Sequence, residues 1–325
     1  MSTTITPATI ISPPPFHKPP VPMTLGEALL YRSSDSTLHW VDPLISPPEL
    51  LILPICPQTG LPLGPSRILQ LSDSVSVFYF RKGVKGSYIC AYYAGIAFMD
   101  EETGRLEVVR EIIGSGERGE RRFNDGGVDA RGRFWCVEID KKAVSFGLGG
   151  PPESYGKPRG RLWRYDPDGS LHQMFEGAVC GNGVDWSPDN KTFYLNDSVG
   201  QMVYAFNFDL EKGEISNQRT LVDFHGTEGE PDGMVVDTDG NLWIAVYGTN
   251  RVMVFDPSGK RIKELVFSGQ RLTCPTWGGE NHDILFITSA KGGDGLEGKE
   301  DEGGNMFSYR AVDGPKGKPE HEFAG

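Results

Sequence analysis

Residues 124–129 read NDGGVD, and the same phrase returns as NGVD at 182–185 and as DGMVVD at 232–237. Each copy opens with a carboxamide or carboxylate near a glycine and reaches an aspartate that follows an apolar residue. A turn and an aromatic or apolar strand come next. The copies lie about 50 residues apart, a period typical of propeller blades. We therefore expect their opening residues to meet at one end of a central channel.

The length of the chain fits one domain made of such repeats. Its 325 residues correspond to about six units of this size, which favours a single all-β propeller over residues 24–325. The 42 glycines and 24 prolines predict many turns and few long helices. Residues 1–23 are rich in Pro, Ser and Thr, and we expect an extended or disordered N-terminal extension there.

The net charge indicates which kinds of partner the protein can bind, and the cysteines indicate the redox state of its compartment. A net charge of −12 argues against binding to nucleic acid, so small molecules or cations are the expected partners. The 5 cysteines contain no C-x-x-C pair and predict free thiols in a reducing compartment. We find neither a secretory signal nor an apolar stretch long enough to span a bilayer. These features predict a soluble cytoplasmic protein without a membrane partner, and they leave its oligomeric state open.

The repeated phrase also supplies candidate metal ligands. Asn182 and Asp232 offer oxygen atoms at two blade openings, and Glu27, shortly before the apolar run at 38–42, is the acidic candidate from the first blade. Oxygen ligands suit hard cations such as Ca²⁺ or Mg²⁺. Asn-Gly and Asp-Gly are also ordinary tight-turn dipeptides. Three copies in register weaken that alternative.

The amino-acid sequences of these phrases resemble those of a known family. RFNDGGVD at 122–129, NGVDWS at 182–187 and PDGM at 231–234 are similar to the gluconolactonase/regucalcin (senescence marker protein) family, as is GNLWIA at 240–245. The resemblance covers roughly residues 24–325. It implies a six-bladed β-propeller whose central channel binds one divalent cation.

The resemblance also implies roles for individual residues. Glu27, Asn182 and Asp232 would hold the cation, with Ca²⁺ expected first and Mg²⁺, Mn²⁺ or Zn²⁺ as alternatives. The implied activity is metal-dependent hydrolysis of a lactone, a carboxylic ester hydrolysis, with Asp232 as general base. Arg122 and Asn124 match the pair that contacts the substrate.

Two further residues complete the predicted site. The resemblance also implies that Asp125, which follows Asn124 directly, is a supporting or proton-handling residue of the catalytic site. Glu138 is our candidate for an additional substrate contact; it would share one strand face with Asp140 and Lys142 if the strand continued that far. Where sugar-lactone members of the family can present an acidic contact, the register places Lys142. We therefore do not assume that the substrate is a sugar lactone.

Other functions are compatible with the same sequence. The cation could serve another hydrolysis, of a phosphotriester or an aryl ester, or a biosynthetic step, because a fold does not fix a substrate. A non-catalytic propeller that binds a cation is a third hypothesis. The loop at 141–159 and the glycine-rich loop at 291–304 are expected at the rim of a site. The acidic run at 297–302 is expected to be a solvated loop.

Overall fold

The computed structural model describes residues 8–227, 229–292, 301–311 and 314–325. Within these ranges the chain is almost entirely β, and its helical content is limited to α1 (Lys141–Val144) and a 3₁₀ turn (Glu153–Tyr155). No helix in the described ranges has the length and apolar character needed to cross a bilayer. Residues 293–300, which include most of the predicted acidic run at 297–302, lie outside the described residues.

In the described residues the strands form six sheets, and within each sheet the strands that follow one another in the chain pair antiparallel. The first strand is β1 (Ala8–Ile11). The first three sheets are β2–β5 (Glu27–Arg32, Thr37–Asp42, Glu49–Pro54, Arg67–Gln70), β6–β9 (Val75–Phe80, Ser87–Tyr92, Gly95–Asp100, Leu106–Glu111) and β10–β13 (Arg121–Val128, Phe134–Asp140, Gly160–Tyr165, Leu171–Ala178). The last three are β14–β17 (Gly181–Trp186, Thr192–Asp197, Met202–Asp209, Glu214–Asp223), β18–β21 (Glu230–Val236, Leu242–Tyr247, Arg251–Phe255, Arg261–Val266) and β22–β24 (Arg271–Gly278, Ile284–Ala290, Phe307–Arg310).

The six sheets close into a ring. The first strand of each sheet contacts the first strand of the next, and β22 of the last sheet contacts β2 of the first. This arrangement is a six-bladed β-propeller, as the sequence predicts, and we number its blades 1 to 6 in chain order. Second strands such as β11 and β23 are buried along their whole length because neighbouring blades cover both faces. The outermost strand β9 is largely exposed.

In two of the three copies of the repeated phrase, the final aspartate stabilises a turn. Asp129 accepts hydrogen bonds from two backbone N–H groups of the β10–β11 turn and, at 2.9 Å, from the indole N–H of Trp135. Asp237 repeats the arrangement in blade 5, where the indole of Trp243 donates at 2.8 Å. These carboxylates join the first and second strands of their blades, which explains why the phrase predicts a blade.

Every innermost strand has a β-bulge or similar irregularity near its first residues. The register shifts fall between Glu27 and Leu30, Val75 and Val77, Phe123 and Asp125, Gly181 and Val184, Pro231 and Met234, and Leu272 and Pro275. A bulge takes side chains out of the regular ladder and re-aims them. We call the end of the channel where these strands begin, marked by Glu27, Asn182 and Asp232, the mouth, and the opposite end the far end.

The C-terminal segment crosses the far end, and we call residues 314–325 the strap. The carbonyl of Lys316 accepts from the backbone N–H of Thr238 in blade 5 at 2.8 Å, and the ammonium of Lys318 lies 2.9 Å from a carboxylate oxygen of Asp185 in blade 4. The backbone of Phe323 then pairs with the end of β6 in blade 2. The strap therefore connects blades on opposite sides of the ring.

A cavity lies between the strap and the mouth. Its volume is about 40 Å³, which is room for about three water molecules. Tyr79, Asp125 and Cys274 line it from the blades, and Glu320 lines it from the strap. The far end of the channel is therefore covered by the strap, and the polar groups of Asp125 and Glu320 face one shared space.

Part of the N-terminal extension lies against the propeller. The strand β1 pairs parallel with β21 and adds a fifth strand to blade 5, and His17 bridges to Met306 beside blade 6. Residues 8–23 thus contact the blades, and the predicted boundary at residue 24 lies three residues before the first blade strand. That boundary, and the extension as a separate unit, stay predictions.

Candidate metal and substrate site

The predicted ligand residues are brought together at the mouth. Asn182 and Asp232 come from neighbouring blades, and the amide nitrogen of Asn182 donates a hydrogen bond to a carboxylate oxygen of Asp232. Both side chains are buried. Glu27 opens the first strand of blade 1 and lies close enough to interact electrostatically with Asp232 and Asp125. Three blades therefore contribute oxygen atoms to one small region.

The carboxyl groups of Glu27, Asp125 and Asp232 lie close together in this buried region and act on one another electrostatically. Burial, reinforced by Asp232 and Asp125, raises the pKa of Glu27 well above its ordinary value, although Arg122 opposes the shift. Burial and the neighbouring carboxylates of Asp125 and Glu230 likewise raise the pKa of Asp232. Like charges that share a buried site disfavour ionisation unless an opposite charge compensates them. A bound cation would provide that compensation.

The chemistry of these side chains fits a hard divalent cation. Glu27 and Asp232 supply carboxylates, and Asn182 supplies an amide oxygen that receives no hydrogen bond from the described part of the chain. Ca²⁺ and Mg²⁺ prefer such oxygen ligands. Over the same described ranges, no metal-binding group of three or more His, Cys, Asp or Glu side chains is found. The candidate set differs from such groups because one of its members is an amide.

Arg122 and Asn124 form a connected pair beside the carboxylates. A guanidinium nitrogen of Arg122 donates to the side-chain oxygen of Asn124 at 3.2 Å and to the backbone carbonyl of Phe123 at 3.0 Å. The amide nitrogen of Asn124 donates to the carbonyl of Gly181 at 2.9 Å, which anchors it to blade 4. The guanidinium is therefore held by a fixed partner, and it acts electrostatically on Glu27.

Asp125 lies deeper in the channel. One of its carboxylate oxygens accepts from the backbone N–H of Gly126 at 2.7 Å, and the side chain lines the cavity above the strap. Burial raises the pKa of Asp125 to about 7. A carboxyl group with such a pKa can take up and release a proton near neutral pH.

Glu138 is not brought to the mouth. Its side chain is fully buried within blade 3, where the guanidinium of Arg161 lies 2.9 Å away and the indole of Trp163 donates at 2.8 Å. Its strand does not continue to Lys142, because β11 ends at Asp140. The carboxylate of Asp140 accepts from the backbone N–H of Ala143 and caps α1, so Lys142 lies in a helix.

Asp197, the last residue of β15, has a structural role. Its carboxylate accepts from the backbone N–H groups of Val179 at 2.9 Å and Cys180 at 2.8 Å. Both donors lie in the segment that leads into β14. Asp197 therefore holds the start of that strand in place.

The residues on either side of Asp197 were missed by sequence reasoning. The amide nitrogen of Asn196 donates to the backbone carbonyl of Asp232 at 2.5 Å, and the hydroxyl of Ser198 donates to the carbonyl of Pro231 at 2.8 Å. The only sequence feature that could have identified them is the polar triplet at 196–198, which follows an apolar stretch. Its partners are more than thirty residues away along the chain.

The loop at 141–159 packs beside the same region. Ala143 forms a small apolar cluster with Val179 and Val199, against which Tyr155 packs. The backbone N–H of Gly149 donates to the carbonyl of Val199 at 2.9 Å. The loop is therefore attached to blade 4 next to Ser198.

Comparison with known proteins agrees with this architecture. Residues 25–291 match the family described as "SMP-30/Gluconolactonase/LRE-like region". Regucalcin from Danio rerio is 35% identical over 245 residues, which is 74% of this chain and 78% of that protein. The family match thus covers most of this chain, and the alignment covers most of this relative.

Solved structures share the fold. A calcium-binding regucalcin from Agrobacterium tumefaciens superposes with a TM-score of 0.82 at 22% identity, covering 98% of this chain and 100% of that one. A gluconolactonase from Xanthomonas campestris, XC5397, gives a TM-score of 0.66 at 20% identity, covering 91% and 88%. At these identities the structures support the fold, whereas the matched family region and the regucalcin relative establish the relationship. This chain belongs to the SMP-30/gluconolactonase/LRE-like family.

Proposed function

We propose that this protein is a metal-dependent hydrolase that opens a lactone. The observation that carries the proposal is the convergence of Glu27, Asn182 and Asp232 at a buried mouth next to the guanidinium of Arg122. A purely structural ion would not need a cationic neighbour, whereas an ester whose carbonyl oxygen gains negative charge would benefit from one.

The proposed roles follow from the chemistry of ester hydrolysis. A divalent cation bound at the mouth would supply a Lewis acid that polarises the carbonyl of the substrate. Arg122 would stabilise negative charge on the substrate, and its hydrogen bond to Asn124 would keep it oriented before the substrate binds.

Two carboxyl groups would carry out the proton transfers of the hydrolysis. Asp232 would accept a proton from the attacking water while the water oxygen bonds to the carbonyl carbon. The ring C–O bond then breaks, and the departing oxygen takes up a proton, which gives a hydroxy acid. Asp125, with a pKa of about 7, is assigned the supply of that second proton because it retains one near neutral pH.

The comparisons support the proposal at the level of the family. The family description includes gluconolactonase, and one relative of the same fold is called a gluconolactonase. Another structure of this fold is called a calcium-binding protein, which favours Ca²⁺ as the first cation to test.

A substrate panel tests the proposal. Metal-stripped protein would be assayed on sugar and aromatic lactones with Ca²⁺, Mg²⁺, Mn²⁺ or Zn²⁺ added back. We expect turnover that requires a cation and that falls at least about 100-fold in Asp232→Asn, the usual range for loss of a general base. Asp168→Asn, which alters an exposed turn aspartate in blade 3, is the matched control and should keep full activity. Equal activity of wild type and Asp232→Asn would contradict the proposal.

A further inference from the structure

The hydroxyl of Ser198 links the two strands that carry Asn182 and Asp232. Its oxygen lies 2.8 Å from the carbonyl oxygen of Pro231, which precedes Asp232, and 2.9 Å from the amide nitrogen of Asn182. The side chain is only 3% exposed, so water does not compete for these contacts.

The directions of these two hydrogen bonds are fixed by chemistry. A carbonyl oxygen cannot donate, so the single hydroxyl hydrogen of Ser198 is committed to Pro231. The oxygen of Ser198 must then act as an acceptor toward Asn182. Only the NH₂ end of the Asn182 amide can donate, so that end points to Ser198.

Asp232 favours the same orientation. The NH₂ group of Asn182 also donates to the carboxylate of Asp232. Rotating the amide by half a turn would place its oxygen against the Asp232 carboxylate and against a Ser198 oxygen that has no hydrogen left to offer. A buried contact between acceptors is unfavourable. Within the described part of the chain, the amide oxygen of Asn182 therefore receives no hydrogen bond and is available for a cation.

We propose that Ser198 is a positioning residue that orients the amide of Asn182, so that its oxygen, and not its nitrogen, is presented to a divalent cation at the mouth. The inference rests on the proposed function, because it takes Asn182 as a ligand. It adds a residue from the turn after β15, whose contact with Pro231 also fixes the backbone next to Asp232. Outer partners of this kind typically change metal affinity by about 10-fold to 100-fold when they are removed.

The test is a calorimetric titration of the metal-stripped protein with CaCl₂. We expect Ser198→Ala to raise the Kd for Ca²⁺ by about 10-fold to 100-fold, because the amide of Asn182 loses one of the two groups that orient it. Ser198→Thr retains the hydroxyl and should stay within about threefold of wild type. The matched control is Ser76→Ala, which alters a buried serine at the bulge of blade 2; this variant should keep the wild-type Kd for Ca²⁺.

A purely structural role would give a different pattern. It would lower the Tm of the metal-free protein and leave the Kd of the folded protein unchanged. Ser198→Ala with the wild-type Kd, or Ser198→Thr as weak as Ser198→Ala, would overturn the inference while the proposed function stands. Wild-type protein that binds no Ca²⁺, Mg²⁺, Mn²⁺ or Zn²⁺ would overturn the proposed function and this inference together.

Discussion

Asn182 and Asp232 are hydrogen-bonded to each other although they lie 50 residues apart in the chain. Each lies near the start of the first strand of its blade, at a register shift. The propeller thus converts a repeat in sequence into a contact in space. The same geometry explains why the mouth gathers carboxylates that would repel one another without a cation.

Replacing Arg122 should impair catalysis without weakening cation binding. Arg122→Met removes a positive charge that acts on Glu27, so the affinity for Ca²⁺ should be unchanged or slightly higher. The kcat/KM for a lactone should fall by about 100-fold, because a group that stabilises the developing charge is lost. Calorimetry and steady-state kinetics on one preparation would measure both effects. Arg118→Met, in the preceding loop and paired with Glu111, is the control. A collapse of Ca²⁺ affinity in Arg122→Met would contradict this division of roles.

The strap should contribute to global stability through Phe323. This side chain is 1% exposed and stacks on Tyr165 with ring centroids 5.9 Å apart. Phe323→Ala is expected to lower the free energy of unfolding by about 3 kcal/mol, as for other buried aromatic truncations. Urea unfolding would measure the change. Phe146→Ala removes a side chain that is 48% exposed and should have an effect below about 0.5 kcal/mol. Equal stability of the two variants would show that the strap is not packed as described.

Cysteine reactivity should report whether the strap seals the channel. In wild type a small thiol reagent should modify Cys56 first, since it is partly exposed and hydrogen bonds from the Thr59 side chain and backbone lower its pKa. Cys90 and Cys136 are buried in blades 2 and 3, and burial raises the pKa of each thiol, so they should stay unmodified while the protein is folded. Peptide mass spectrometry would give the rate at each position.

The informative position is Cys274, which lines the cavity above the strap. Phe323→Ala should increase its modification rate at least about tenfold, because detaching the strap opens the far end of the channel. Cys90 and Cys136 should remain protected, which distinguishes local opening from unfolding. An unchanged rate at Cys274 in a variant of lowered stability would argue against the seal.

The free energy of unfolding should decrease with increasing pH because of the carboxyl group of Glu320. Burial raises the pKa of Glu320 to about 7, Asp185 adds to the shift, and Lys318 opposes it. The folded state then holds a proton that the unfolded chain has already released above its ordinary pKa. Stability is therefore highest at acidic pH and declines up to about pH 7, by up to about 1.4 kcal/mol for each pH unit.

The variant Glu320→Gln should flatten this part of the profile, since the amide does not titrate. Thermal unfolding of metal-free wild type and variant between pH 5 and pH 8 would measure the difference in slope. Glu322→Gln, two residues later on the exposed side of the strap, is the control and should keep the wild-type slope. Parallel profiles for wild type and Glu320→Gln would contradict the assignment.

Sequence reasoning identified the fold through the aspartates of the repeat. Asp129 and Asp237 each bond a turn and an indole within six residues, so their role is readable from a short stretch. Blades 1 and 2 lack the full phrase, and their limits are visible only in the structure. The addition of β1 to blade 5 joins residues more than 250 positions apart, which no local pattern encodes.

The site was predictable where its residues lie on the repeat. Asn182 and Asp232 are inside it, and the structure brings them together. Glu138 was assigned by its position on a strand, but its environment depends on Arg161, which arrives 23 residues later from the next strand. Ser198 was missed for a similar reason, because its partner Pro231 lies 33 residues further along. Contacts between strands and between blades decide these roles.

The most direct test of a metal-dependent hydrolase is to compare activation with binding. Lactone hydrolysis by metal-stripped protein would be measured as Ca²⁺ is added, alongside a calorimetric titration of the same sample. We predict that turnover rises from background with a half-maximal concentration equal to the Kd for Ca²⁺, and that Asp232→Asn loses both responses. Saturable binding of the cation with no turnover on any lactone, or turnover that persists in the metal-free protein, would contradict the account.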